Sequence, residues 1–497
     1  MSFPNSSIGL PETLNYKLNP SLPENARAYS VNVAPDGITV VTGPAQSLTY
    51  TANTAVQNQF TSQVLSFTLP SGMSDAVFMD PVATTVSFSL IYTISVAPTG
   101  LANTQQTLIG SAASFIDQLQ VYSNNVPIES IAAYGLLQNF LLQNTVSYSE
   151  RSGGCSVSMG CDANSATGID LPTGVGTYRF NFCIPLLSIL GVNSDKFIPI
   201  GSISNMQLQL TTANLNPVVT WCTAVTTSPT FSVPFTLVDW TLNMKYIDVG
   251  QMAADLLKQT LVDGKWFIKA ATYTQSAVTI PSGSQGNQQL LLQIRNTSVK
   301  SLFHQFGIAN GSTAQSAISP NGYYDAINIC TNSRQLQIGG NYFPNRPIND
   351  LQQGAVGYTY LIQALGGGLA KSYGTTVTRN MYNSVGAIVN TNAIPTGSDT
   401  TLAVPAIVAN FPTRAAYLGD DAGGVQVLKF PSGAYYGYDL EKSSGILFSG
   451  SNTRASPPFL NLNLGATINA SVTCNAWGLS DVIIAIDYNS KSVQAFI

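Results

Sequence analysis

Along much of the chain, apolar and polar residues alternate one by one. Val86, Phe88, Leu90, Tyr92, Ile94 and Val96 fall on one side of an extended segment, and Ser87, Ser89, Ile91, Thr93 and Ser95 on the other. A period of two marks a strand with one face in a core. The pattern recurs in Leu65/Phe67/Leu69, Met206/Leu208/Leu210, Trp240/Leu242/Met244/Tyr246 and Leu460/Leu462/Leu464. Gly, Pro, Asn and Ser fill the gaps, and many short strands punctuated in this way predict sandwiches or barrels.

Helical spacing is rare. Ile131, Tyr134, Leu137 and Leu141 recur at threes and fours and predict an amphipathic helix near 128–143. Leu351, Tyr358, Leu361 and Leu365 predict a second over 350–365, with Asn349 as its cap and Gln352 three residues on, as in a capping box. A third, near 249–261, carries Ala253, Leu256, Leu257 and Leu261 and follows Asp248.

The first two helices belong to an internal repeat. Leu119-Gln120-Val121 and Asn125-Val126-Pro127-Ile128 precede one helix; Leu336-Gln337-Ile338 and Asn345-Arg346-Pro347-Ile348 precede the other. Each half closes on a Trp- or Ile-rich strand, Asp239 to Tyr246 in one and Asp481 to Tyr488 in the other. The offset from Asp239 to Asp481 is longer than the offset from Leu119 to Leu336. The second half therefore carries extra residues between helix and closing strand, and the Gly/Thr/Asn-rich stretch 366–401 accommodates them. The expected division is an N-terminal arm over 1–45, punctuated by Pro4, Pro11, Pro20, Pro23 and Pro35, a first β domain over 46–249, a linker helix over 250–263 and a second β domain over 264–497.

This order of segments resembles the major capsid proteins built from two tandem jelly rolls, the lineage of tectivirus-like phages, adenovirus hexon and large DNA viruses. It is most like the virophage and polinton-like virus members. In the first half the likeness is carried by Phe115-Ile116-Asp117-Gln118-Leu119-Gln120-Val121-Tyr122, the turn Ser123-Asn124-Asn125, the Ile128-Glu129 pair and the helix after it. Tyr178-Arg179-Phe180-Asn181-Phe182-Cys183-Ile184-Pro185-Leu186 resembles the family's strand entering a Pro-Leu corner, followed by Lys196-Phe197-Ile198-Pro199. In the second half Gly339-Gly340-Asn341-Tyr342-Phe343-Pro344-Asn345-Arg346-Pro347 and the segments 449–453 and 481–486 match in order. The resemblance implies an all-β chain of two eight-stranded antiparallel jelly rolls, each a β-sandwich with a short inserted helix. It also implies trimeric capsomers with a pseudo-hexagonal outline in an icosahedral double-stranded DNA virus shell, with upright strands and loops forming outer towers. The partners so implied are further copies of the chain and of the capsomer, penton and minor capsid proteins. No sequence-specific contact with nucleic acid is implied, and contact with an internal membrane stays open.

Composition adds exclusions. Of 497 residues only 9% are charged, against roughly 25% in an ordinary soluble domain. The net charge of −4 provides no footprint for nucleic acid. In the first fifty residues Lys17 and Arg27 face Glu12, Glu24 and Asp36, so the arm is not basic. No apolar run reaches the ~20 residues of a membrane helix, and Leu186–Leu190 and Val482–Ile486 are strand-sized. Met1-Ser2-Phe3-Pro4 has neither the basic nor the apolar region of a secretory signal, so synthesis without a signal peptide is expected; the family resemblance implies residence in a virion shell.

No catalytic, cofactor-binding or metal-binding residue is assigned. His304 is the one histidine, on the strand-like Lys300–Phe306, where a hydrogen-bonded or solvent-facing ring is expected rather than a triad base. Cys155, Cys161, Cys183, Cys222, Cys330 and Cys474 contain no CxxC; free thiols are expected, with late closure of Cys155 and Cys161 left open. Asp420-Asp421 lacks the ligand alternation of a calcium loop. Gly366–Ser372 fails as a phosphate loop because Ala370 stands where glycine is needed, and it reads as a helix C-cap. Arg346, Lys371, Arg379 and Arg414 are scattered, and the Asn-X-Ser/Thr triplets at Asn5, Asn296, Asn310 and Asn469 arise readily in such a composition. The rival reading is an extracellular two-domain β-sandwich that binds or cleaves carbohydrate, with Tyr323, Tyr324, Tyr435, Tyr436 and Tyr438 as loop aromatics.

Overall fold

The computed structural model describes residues 26–42, 47–49, 55–59, 62–94, 104–108, 110–161, 169–172, 174–194, 196–222, 230–232, 235–308, 326, 328–329, 331–350, 354–366, 377, 382, 418–420, 426–428, 433–443, 446–465, 467–468 and 471–497. In the first half the alternating runs become Arg27–Val33 (β1), Val64–Leu69 (β2), Val77–Ile94 (β3), Ile116–Ser123 (β4), Val126–Ala132 (β5), Gly176–Pro185 (β6), Met206–Thr212 (β7) and Phe235–Asp248 (β8). They pair antiparallel in the orders β1-β8-β3-β6 and β2-β7-β4-β5. The second half repeats the plan with Lys265–Ile280 (β9), Gly286–Leu291 (β10), Val299–Ile308 (β11), Thr331–Ile338 (β12), Asn341–Ile348 (β13), Tyr435–Asp439 (β14), Phe459–Leu464 (β15) and Val472–Asp487 (β16). Its orders are β9-β16-β11-β14 and β10-β15-β12-β13. Adding eight to each strand of the first half thus yields the second: two jelly rolls, each built on a pair of sheets. In the first, Val41–Thr42 also pairs with β8, and Ala55–Gln59, Thr104–Leu108, Asp170–Leu171 and Leu215–Cys222 form a further four-stranded sheet. A last strand, Ser492–Phe496 (β17), runs along β16.

The two sequence offsets select equivalent strands. Leu119 on β4 lies opposite Leu210, and Leu336 on β12 opposite Leu460. β8 and β16 are both the second strand of their sheets, and Asp248 faces Arg27 where Asp487 faces Lys265. The Asp–Tyr pairs that close the two halves are slightly out of step with these strand ends, because Tyr246 lies inside β8 while Tyr488 follows β16.

Two expectations change. The arm ends before residue 27, since β1 pairs with β8 over its whole length. None of the five prolines of 1–45 falls within 27–33, so no donor is missing from that ladder. The first helix, Tyr134–Thr145 (α1), starts later than expected, because 126–132 is a strand. Asn124 and Asn125, with φ of 49° and 63°, make a two-residue hairpin turn of the primed kind. That turn commits Val126–Ala132 to pair with β4, and it places Ile131 opposite Leu119 rather than on a helix. The equivalent turn in the second roll is Gly339-Gly340, with Gly339 at φ 60°. Between the rolls runs Gln251–Lys258 (α2). The helix after β13 is Gly354–Ala364 (α3), and its capping region, Gln352 included, lies outside the described residues. Of the expected insertion 366–401 only Gly366, Val377 and Tyr382 are described; Gly366 ends α3 in the left-handed conformation, φ 69°.

Both sandwiches are filled from their alternating faces. In the first roll Phe88 stacks on Trp240 at 4.1 Å and meets Phe115 edge-on at 5.9 Å. In the second, Leu302, Phe306, Leu336, Leu460, Cys474 and Ala476 form one buried cluster. Among the described residues, no helix is long and apolar enough to cross a membrane.

Candidate functional site: the junction between the jelly rolls

β11 carries His304 into the second sandwich, fully buried. Its ring stacks on Tyr436 at 5.0 Å and Tyr438 at 5.7 Å, and neither ring nitrogen has a hydrogen-bond partner among the described residues. The expectation of a hydrogen-bonded or solvent-facing ring is thus corrected, although the strand lies where the alternation placed it. Burial, reinforced by the Arg334 guanidinium, holds its pKa well below the usual histidine range, so the ring is neutral. No described hydroxyl, thiol or carboxylate is bonded to this imidazole.

Beside it lies a cluster that sequence reasoning missed. Arg334 grips Asp350 through Nε and Nη2, each at 3.0 Å, and donates from Nη1 to the Tyr438 hydroxyl at 2.7 Å. Its guanidinium lies 4.2 Å from the Tyr436 ring centre, and Thr331 donates its hydroxyl to Asp350. The signal was present: Arg334 shares its inward face of β12 with Leu336 and Ile338. An arginine at such a position needs a buried partner. Tyr435, Tyr436 and Tyr438 lie buried on β14, not in loops as a sugar platform would need; Tyr323 and Tyr324 lie outside the described residues.

The other candidates separate. Cys155, Cys161, Cys183 and Cys474 are free thiols; burial, with the Cys155 thiol beside it, pushes Cys161 up to about 12. Asn296 is buried and donates to Thr274 at 2.8 Å and Ser480 at 2.7 Å, which removes it as a surface glycosylation site. Arg346 is exposed on β13. Asp421, Lys371, Arg379, Arg414, Asn5, Asn310, Asn469, Cys330 and Gly367–Ser372 lie outside the described residues, as do the side chains of Asp420 and Cys222. Among the described residues no group of three His, Cys, Asp or Glu side chains is placed to hold a metal ion.

What the fold does build is a continuous junction. α1 of the first roll presses Phe140 against Phe303, Tyr435 and Trp477 at 5.3, 5.1 and 6.2 Å. These three side chains stand on the outer face of the sheet whose inner face carries His304, and Leu361 and Ala364 of α3 join the same cluster. Tyr435 donates its hydroxyl to Gln143 Oε1 at 2.7 Å. A second, apolar seam is walled by Ile128, Ile189, Leu190, Ile268, Ile484 and Ile486 around a void of about 10 Å³. On its border Glu129 of β5, 3% exposed, accepts from Ser188 Oγ, from the Ile189 amide at 3.0 Å and, across the junction, from Thr272 Oγ1 of β9 at 2.7 Å. α2 closes the hinge side: Lys258 pairs with Asp75 of the first roll at 3.2 Å, and Tyr488 of the second donates to the same carboxylate at 2.5 Å.

The faces left uncovered are polar and almost uncharged. β2, β7, β10 and β15 contain no Lys, Arg, Asp or Glu at all. Across the sheet of the second roll Asn461 links Gln289 and Gln337 at 3.1 Å each, lining a shallow groove of about 250 Å³. In the first roll Gln209 stands between Ser66 and Gln120. The outer face of β8-β3-β6 carries a bonded set: Ser89 to Asn181 at 2.8 Å, Asn243 to Ser87 at 3.0 Å, and Arg179 to Ser89 at 3.2 Å and to Asp239.

No protein-family model and no curated protein matches the sequence. Solved structures do match over nearly the whole chain. The crystal structure of PBCV-1 VP54 fitted into a reconstruction of the virophage Sputnik is similar with TM-score 0.52 and 12% identity, over 97% of this chain and 99% of that one. A chain of the Sputnik virophage cryo-EM structure is similar with TM-score 0.52 and 10% identity, over 98% and 92%. The mavirus major capsid protein gives TM-score 0.48 and 9% identity, over 100% and 95%. At such identities the likeness is one of fold, and that fold is the tandem double jelly roll seen strand by strand above.

Proposed function

We propose that the chain is a structural protein, the major capsid subunit of an icosahedral double-stranded DNA virus, and that three copies form a pseudo-hexagonal capsomer. The observation that carries this reading is the duplicated jelly roll, similar in fold over 97% of the chain to a protein fitted into a virophage reconstruction. The junction supports it. Within the chain, α1 of the first roll covers the outer face of a sheet in the second. That contact is heterologous, joining unlike surfaces of like domains, and repeating such a contact between copies closes a ring or opens a filament. The outer face of β8-β3-β6, with Ser87, Ser89, Asn181 and Asn243, is the equivalent receiving surface for the next copy.

The uncharged amide and hydroxyl faces suit a tile. Exposed ion pairs are worth ~0–1 kcal/mol and are screened by salt, whereas neutral hydrogen bonds hold at any ionic strength. In this reading the arm before β1 and the 366–401 insertion reach neighbouring subunits, penton or minor capsid proteins. Sedimentation of the purified protein tests it: a species of three 52.6 kDa chains, unchanged between low and high salt, is expected. A monomer retained on a polysaccharide gel would instead establish the carbohydrate-binding alternative.

A further inference from the structure

Glu129 belongs to the Ile128-Glu129 pair that precedes the first helix, and the shell-forming role leaves it without a task. Its surroundings are unusual for a carboxyl. Its three donors come from the two rolls: Ser188 and Ile189 from the corner after β6, and Thr272 from β9 of the other roll. The corner is held in place by a close approach at Gly191, where a Cβ would fall 1.8 Å from the Leu186 carbonyl oxygen. The second roll solves the same problem differently. Its acid after β13, Asp350, is bound by Arg334. Asp117 precedes Leu119 by the same step as Arg334 precedes Leu336, but it lies exposed at a register shift of β4, so the first roll places no base there.

Glu129 has no such base among the described residues. Tyr134 of α1 faces it, with the hydroxyl accepting from the Leu187 amide at 2.9 Å. The corner 186–191 has no ionisable group, β5 has no other, and β17 has none. β9 carries Lys265, Lys269 and Tyr273, β16 carries Cys474, Asp481 and Asp487, and Lys491 precedes β17; none of the three lysines is ion-paired with Glu129.

We propose that Glu129 is a proton-operated latch between the two jelly rolls, closed when the carboxyl is protonated and loosened when it ionises. The coupling is geometric: the charge appears on a buried carboxyl beside the apolar seam with no base facing it, a cost that outweighs the firmer bonds the ionised group draws from Ser188, Ile189 and Thr272. Burial raises the carboxyl from 4.5 to about 7, against the opposing hydrogen bonds from Ser188, Thr272 and Ile189. The folded chain therefore keeps a proton that the unfolded chain gives up. The stabilisation is complete below the unfolded value of 4.5 and is lost as pH rises to about 7. The latch does not depend on the capsid reading.

The test compares the full-length chain with Glu129→Gln, an isosteric neutral side chain, in urea unfolding at pH 5.5, 6.5, 7.5 and 8.5. Other titrating groups, His304 included, affect both proteins alike and cancel in the difference. From pH 5.5 to 7.5 the unfolding equilibrium constant of the wild type should rise about twentyfold relative to the variant. Thr272→Val removes the donor of the second roll, so the inflection should move to higher pH. That variant decides the matter if Glu129→Gln does not fold. Hydrogen exchange locates the effect: above pH 7 the wild type should lose protection at Ile189 and Thr272 and keep it in β10 and β15. A pH-independent difference, an inflection unmoved in Thr272→Val, or loss of protection spread evenly over both rolls would overturn the latch.

Discussion

His304 and Arg334 sit within one sandwich and house their ionisable groups in opposite ways. Arg334 stays charged because Asp350 and Tyr438 take up its donors. His304 stays neutral because burial penalises its cation and Arg334 repels it. Replacing Arg334 by Met strands Asp350 without a base in the core, and such a loss costs about 3–5 kcal/mol. Urea midpoints should show it, and Arg334→Met with Asp350→Asn should recover part. For His304 the sign runs the other way from Glu129. The unfolded chain takes a proton below about 6.5 and the folded one does not, so stability present above that pH is lost on acidification. His304→Leu should flatten this acid limb when midpoints at pH 7.5 and 5.0 are compared. Of these residues the sequence displayed the strand of His304 but not its stacking, which depends on β14, far along the chain. The inward phase of Arg334 was legible in the alternation of β12; its partner was not, because Asp350 lies beyond the strand pattern.

At the scale of elements, alternation placed the strands well, and helical spacing placed the linker helix well but started the first helix too early. The reason is visible at Asn124-Asn125. A primed two-residue turn overrides the i, i+3, i+4 spacing of Ile131 and Tyr134 by committing Ile131 to the ladder opposite Leu119. Proline content likewise misled over 1–45, since the five prolines leave Arg27–Val33 untouched. The repeat itself was legible because two like domains keep like strand–turn–helix units. What the chain order did not disclose is that α1 serves the neighbouring roll. Phe140→Ala should therefore act on the junction: about 3–5 kcal/mol of stability is removed, and proteolysis should open the segment around α2 before either sandwich. Cleavage at an unchanged rate would contradict the packing of Phe140 on Phe303, Tyr435 and Trp477.

For the whole molecule, the 9% charge and the duplication describe one design. Charge is missing where sheet faces are open, on β2, β7, β10 and β15, and charges at the junction such as Lys258 and Asp75 are paired. Faces of this kind meet other faces through amides and hydroxyls, and the unlike surfaces that join roll to roll within a chain are available to join chain to chain. Electron microscopy of the purified protein at near-physiological salt tests the proposed ring. The predicted result is particles with threefold symmetry and a hexagonal outline, each containing six upright jelly rolls from three chains. Single two-lobed particles of one chain, or open filaments, would contradict it.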